Sequence, residues 1–224
     1  IGSDLIKVRE WSARATKKEY AVVFPDYFYG QINEAKQQFG TFSLPSKLAM
    51  ELLEATCREI GRNGFKKIII VNGHGGNPQM IRYFIQNQLE KRRDYAVYFF
   101  DPTTPKSVTQ RANKIRKSDS SYDQHGGENE TSMLMYLRPD LVKLDYAINE
   151  SGQNQKRLSL SKDLYTAIWW YASYPNHYAG VGEVASLELG KLLSDSMEKS
   201  LINAIKEVKN DDETLRIQNE YFDN

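Results

Sequence analysis

Apolar residues change their spacing along this chain, and each change marks an element. Residues 21–24 (AVVF), closed by Pro25, read as a short strand. Residues 67–71 and 95–100 read as strands too, the first rich in β-branched side chains and ending abruptly at Asn72-Gly73. Helical spacing takes over elsewhere. Ser43-Leu44-Pro45-Ser46 opens a helix whose stripe is Leu48, Leu52, Ala55 and Ile60, stopped by Asn63-Gly64. Asn77 as N-cap and Pro78 at the first helical position open a second, with Met80, Ile81, Phe84, Ile85 and Leu89 on its apolar side. Residues 102–117 contain a short helix. Residues 131–137 form an apolar one ending before Pro139, and residues 185–208 a long amphipathic one marked by Leu189, Leu193, Met197, Leu201 and Ile205. Residues 27–41 read as loop, 158–171 as irregular or helical, and 209–224 as a polar tail that frays or packs on a neighbour. Strands alternating with helices predict an α/β fold with a mostly parallel sheet covered on both faces.

Composition narrows the function classes. The 224 residues suffice for one sizeable core and are read as one domain. Lys+Arg 30 against Asp+Glu 29 leaves a net charge of +1, which sets up no broad field for nucleic acid or anionic lipid. Cys57 is the one cysteine, so no internal disulfide forms, and a reducing, cytoplasmic setting is expected. No apolar run has membrane-spanning length or signal-peptide form. The chain starts at Ile1, not methionine, and residues upstream are expected.

Two glycine-rich turns carry the candidate chemistry. In Asn72-Gly73-His74-Gly75-Gly76-Asn77, a histidine stands at the carboxyl end of a strand, where open α/β sheets bind ligands. It suits metal binding or acid–base work. A connecting or anion-binding turn is the other reading. The run lacks the Gly-Lys-Ser/Thr ending of a P-loop and the serine of a nucleophile elbow. The second turn, residues 123–132, packs His125, Glu128 and Glu130 against a helix start. Glutamates there are also favoured by the helix dipole, and His125 alone would be an ordinary loop histidine. Histidine with carboxylates suits zinc, manganese or iron. His177 lies in an aromatic loop, where it either lines a pocket with Trp169 and Trp170 or simply packs.

Four stretches together resemble the creatininase (creatinine amidohydrolase) family: Val71 to Asn77; His125-Gly126-Gly127-Glu128-Asn129-Glu130-Thr131-Ser132; Gly40-Thr41-Phe42-Ser43-Leu44; and Gly180 to Gly190. They follow the family's order across most of the chain. The resemblance implies a three-layer α/β/α sandwich and a two-metal hydrolase of amide C–N bonds, often cyclic or formyl amides. It implies His74 and Glu130 as metal ligands, Asp4 of Gly2-Ser3-Asp4 as the carboxylate bridging two divalent ions, and His125 as the catalytic or substrate-binding histidine. Glu128 is a second candidate for the proton donor. It also implies a small-molecule amide as partner and a homo-oligomer, first guessed a hexamer. Exposed aromatics such as Tyr27, Phe28 and Tyr29 add to the latter.

The departures matter as much. The family's Glu-x-His-Gly segment, one ligand for each metal, falls before residue 1, which is why missing upstream residues are expected. Ala35 stands where the family has histidine after Tyr-Gly-x-x-x-Glu, and Gly75-Gly76 replace a tyrosine–glutamate pair. The second change argues against creatinine as substrate. The competing expectation is a metal-free binding protein that has kept the fold.

Overall fold

Ile68 and Ile70 of β1 (Lys67–Val71) face one apolar core, while Ile69 and Val71 face another. That division by twos is what a strand buried on both faces requires. The structure, a computed structural model, describes residues 2–224. β1 pairs in parallel with β2 (Ala96–Phe100), in a register running from Lys67 opposite Ala96 to Val71 opposite Phe100. The helix α3 (Pro78–Gln86) makes the crossover between them.

Helices form the outer layers. On one face, α1 (Ser3–Lys18), α5 (Glu128–Leu137) and α7 (Leu187–Asn210) enclose Trp11, Ala15, Phe100, Leu137, Leu201 and Ile205. On the other, α2 (Ser46–Arg62) and α3 enclose Leu53, Cys57, Ile68, Phe84 and Tyr95. The layers are therefore helix, parallel strands, helix. α4 (Lys106–Ile115) also packs against α7, and α6 (Trp169–Ser173) carries a small third cluster of Trp170, Tyr174 and Ala179. No helix among the described residues is long and apolar enough to cross a membrane.

Four expectations need correcting, and one helix went unread: first, α2 buries Ala49, Leu53, Cys57 and Gly61 and not the expected stripe of Leu48, Leu52, Ala55 and Ile60, with Leu48 exposed. Among the described residues the sheet is only the β1–β2 pair: residues 21–24 find no partner strand, and Val22, Val23 and Phe24 are exposed. Strand propensity needs a neighbouring edge to express itself. The helix α1 was not anticipated. Its buried stripe is Lys7, Trp11 and Ala15, and a lysine in that stripe hides the amphipathic pattern. The polar tail is helical as α8 (Glu213–Asp223) and docks on this chain, with Gln218 Nε2 donating to the Tyr95 carbonyl at 3.1 Å. Asn77 does not cap α3 with its side chain; its Oδ1 accepts the Gln31 backbone N–H at 2.9 Å.

The two motif-bearing helices, α5 and α7, meet at near backbone contact. A Cβ on Gly190 would stand 1.8 Å from the Ser132 carbonyl oxygen. Ser132 Oγ accepts the Ser186 N–H at 2.9 Å, and Ser186 Oγ caps α7 by accepting the Leu189 N–H at 3.3 Å. This contact fixes the start of α5, and with it the second glycine turn.

Candidate active site

Beyond β1 the chain turns through Gly73 to Gly76, and two of these glycines permit close approaches. A Cβ on Gly73 would stand 2.6 Å from the Asp4 carbonyl oxygen, so glycine lets the first turn of α1 close on the strand end. A Cβ on Gly76 would stand 2.5 Å from both Glu34 Oε1 and His74 Nε2, so glycine there lets those two meet.

They do meet. His74 Nε2 lies 3.1 Å from Glu34 Oε1, and its Nδ1 lies 3.1 Å from Asp4 Oδ2. Burial pulls the imidazole toward its neutral form, but hydrogen bonds to Asp4 and Glu34 outweigh it and raise its pKa to about 9. Burial would likewise raise Asp4, yet His74 and the charge of Lys7 hold it well below the usual carboxylate range. Glu34 is lowered from its ordinary value, His74 again overcoming burial. The loop bearing Glu34 is held by the Gln31–Asn77 bond and by Gln31 Nε2 donating to Glu34 Oε2 at 2.7 Å.

Lys7 extends the cluster. It is 4% exposed, one helical turn beyond Asp4, and its Nζ lies 3.1 Å from Asp4 Oδ1 while also donating to Glu130 Oε1. Burial works against its charge, but Glu130 and Asp4 more than compensate, raising its pKa above the ordinary value. Glu130 Oε2 accepts the Gly126 N–H at 2.8 Å and stands 3.6 Å from His125 Nδ1, beyond hydrogen-bond range. Charge thus alternates through Glu34, His74, Asp4, Lys7 and Glu130.

His125 is fixed by its backbone, which exchanges two 2.9 Å hydrogen bonds with Ala179. Its ring lies against His177, with centroids 4.1 Å apart. Of the expected site residues, Asp4, His74 and Glu130 lie together and His125 adjoins Glu130. Glu128 lies apart. It is fully buried, and its carboxylate accepts the Lys117 N–H at 2.9 and 3.1 Å and the Ser118 N–H at 2.7 Å. Its oxygens tie down the loop before the turn. Sequence reasoning missed Glu34 and Lys7. Glu34 did stand within the Tyr-Gly-x-x-x-Glu stretch. Lys7 stood three residues past Asp4, a spacing with meaning only once α1 is known.

No group of three or more His, Cys, Asp or Glu side chains among the described residues is spaced to hold a metal ion. Asp4 and His74 could serve together as two ligands of one ion. Their 3.1 Å separation suits two ligands each about 2.1 Å from one ion. Glu34 backs the other ring nitrogen in the manner of an outer carboxylate. Lys7 Nζ occupies the space between Asp4 Oδ1 and Glu130 Oε1. A cavity of about 1360 Å³ lined by Glu54, Arg93, Lys66 and Asp94 lies at the other, amino end of the strands, away from this chemistry.

Known proteins have related sequences. The creatinine amidohydrolase of Pseudomonas putida is 28% identical over 150 residues, covering 61% of this chain and 57% of that protein. The mycofactocin precursor peptide peptidase of Mycolicibacterium smegmatis is 32% identical over 128 residues, covering 56% and 43%. The chain thus spans about half the length of these curated relatives. A crystal structure of creatininase shares the fold with a TM-score of 0.73 at 22% identity, covering 91% of this chain and 83% of that one. A manganese creatininase superposes with a TM-score of 0.72 and a zinc–zinc form of a creatininase variant with 0.69, each at 22% identity and covering 91% of this chain and 83% of the other. The sequence model of the family described as creatinine amidohydrolase matches residues 1–205, and the chain belongs to the creatininase family.

Proposed function

We propose that this chain is the catalytic domain of a metal-dependent amidohydrolase that cleaves the C–N bond of a small cyclic amide, a formamide or a related amide. The observation that carries the reading is the Asp4–His74–Glu34 cluster at the carboxyl edge of the parallel strands, with His125 close by. The named relatives, an amidohydrolase and a peptidase, both break amide bonds, which supports the reaction class.

Asp4 and His74 would hold the ion. When bound, it supplies Lewis acidity to the amide carbonyl and lowers the pKa of water toward about 7. The chain's own groups do the rest. Glu34 orients the imidazole and keeps its second nitrogen engaged. Lys7 neutralises Glu130 and the far oxygen of Asp4. A departing amine needs a proton, and His125, held rigid by Ala179, is the residue assigned to supply it or to hold the carbonyl as charge develops. His177 and Trp170 wall the same side. Gly75-Gly76 present no side chains beside His74 and Glu34, which favours an amide other than creatinine.

The reading extends to a homo-oligomer, with a hexamer as first guess. Phe28 and Phe42, 61% and 69% exposed, both lie against Tyr29, and a contiguous aromatic patch of this kind supports an interface between copies.

The test is hydrolysis of cyclic amides, N-formyl amines and short peptides by full-length protein. It is first stripped with a chelator and then given back Mn(II) or Zn(II). Turnover should appear only after metal is returned. Binding of these amides with no turnover under any metal would replace the enzyme by a metal-free binding protein on the same fold.

A further inference from the structure

Asp4 presents one oxygen to each of two cationic groups. Oδ2 faces His74, and Oδ1 faces Lys7 at 3.1 Å. A carboxylate that bridges two metal ions divides its oxygens in the same way. On the Lys7 side the second anion is already in place, because Glu130 Oε1 accepts from the same Nζ. Glu130 is itself aimed from behind by the Gly126 N–H on Oε2. The ammonium therefore sits where an ion shared by Asp4 and Glu130 would stand.

We propose that Lys7 is a resident replacement for the second cation, so that this centre takes a single divalent ion, on the Asp4–His74 side. This rests on the metal reading above and sets the number of ions.

The physical case has three parts. A lysine 4% exposed is sustained only by close anionic partners, and both partners here are carboxylates expected as ligands. An ammonium and a dication cannot share one position between two oxygens, since like charges that close in a partly buried site repel strongly. The ammonium also has no exchangeable coordination positions. It offsets the charge of Asp4 and Glu130 but cannot take up water or a substrate oxygen as a ligand. Activation of the amide then falls on one ion, with Lys7 as a positioning residue that keeps Asp4 and Glu130 apart and aimed.

The experiment counts metal. Full-length protein is loaded with excess Mn(II), desalted and analysed by atomic emission, and its electron paramagnetic resonance spectrum is recorded. Wild type should carry one Mn(II) per chain and give the six-line spectrum of an isolated ion. Lys7→Met should gain a second ion and the exchange-coupled spectrum of a pair. Lys7→Arg, which keeps the charge if the methionine variant does not fold, should stay at one. Two ions in wild type, or no gain in a folded Lys7→Met, would overturn the proposal while leaving the metal reading intact. No bound ion in wild type or Lys7→Met overturns both.

Discussion

Trp170 donates its indole N–H to Nδ1 of His177 at 2.7 Å, and this bond decides which nitrogen of the histidine carries the proton. An indole nitrogen only donates, so Nδ1 must accept and the neutral ring is protonated at Nε2. The backbone of His177 is left-handed, with φ 60°, and its ring lies against His125. Burial, then the neighbouring His125, push its pKa down to about 4.

A pH effect on stability follows. In the unfolded chain His177 protonates near about 6.5, and in the fold only near about 4. Above the first value both states are neutral and the full stability is present. Between the two, the unfolded state binds a proton that the fold refuses, so stability falls as pH drops and levels off below about 4. Asp4, Glu34 and His74 also act on this ring, so wild type must be compared with a variant. His177→Asn suits the left-handed backbone and should flatten this part of the profile. Urea midpoints at several pH values between about 4 and 7 read it; equal slopes in the two proteins would rule out a buried neutral His177.

Glu128 offers a cleaner division between structure and chemistry. Its carboxylate is the acceptor for two backbone N–H groups, of Lys117 and Ser118. Glu128→Ala should cost about 1–3 kcal/mol, the range for stranding buried donors. Bound metal and turnover of the folded protein should change little. A proton donor would behave in the opposite way, with Glu128→Gln losing turnover at nearly unchanged stability. Denaturation and assay of both variants decide it.

Both strands and the helices α3 and α7 were legible from their apolar patterns, whereas α2 was legible as a helix but not in the face it buries, which is Ala49, Leu53, Cys57 and Gly61. Residues 68–71 are apolar on both faces, and Leu189, Leu201 and Ile205 repeat along one side of α7. Residues 21–24 carry the same apolar signal as β1 but lack an edge to pair with, which no local pattern reports. In α1 the buried stripe includes Lys7, whose burial makes sense only with Asp4 and Glu130 around it. The site divides in the same way. His74 was readable because a glycine turn at a strand end is a local feature. Glu34 comes from a short 3-10 turn 40 residues earlier, and what admits it is the missing Cβ of Gly76. Glu128 and Glu130 differ by two residues on one helix start, so they point to different sides. Sequence showed both as first-turn glutamates and not which one faces Lys7.

The two histidines of the glycine turns should separate by metal content. His74 shares its Nδ1 environment with Asp4, so His74→Ala would remove half of the proposed chelating pair, and bound metal should fall with activity. His125 stands 3.6 Å from the far oxygen of Glu130, across Lys7 from Asp4, and is anchored through its backbone to Ala179. His125→Ala should therefore leave the backbone bridge and the metal nearly intact. Turnover should still drop by about 10²–10⁴-fold, the range for a lost acid–base group. Metal analysis alongside assay on the responsive amide of the panel gives both readings. Loss of metal in His125→Ala as complete as in His74→Ala would make His125 a ligand. Full metal and full turnover in both variants would return the two turns to a structural role, because nothing else in the cluster distinguishes a histidine that holds an ion from one that handles a proton.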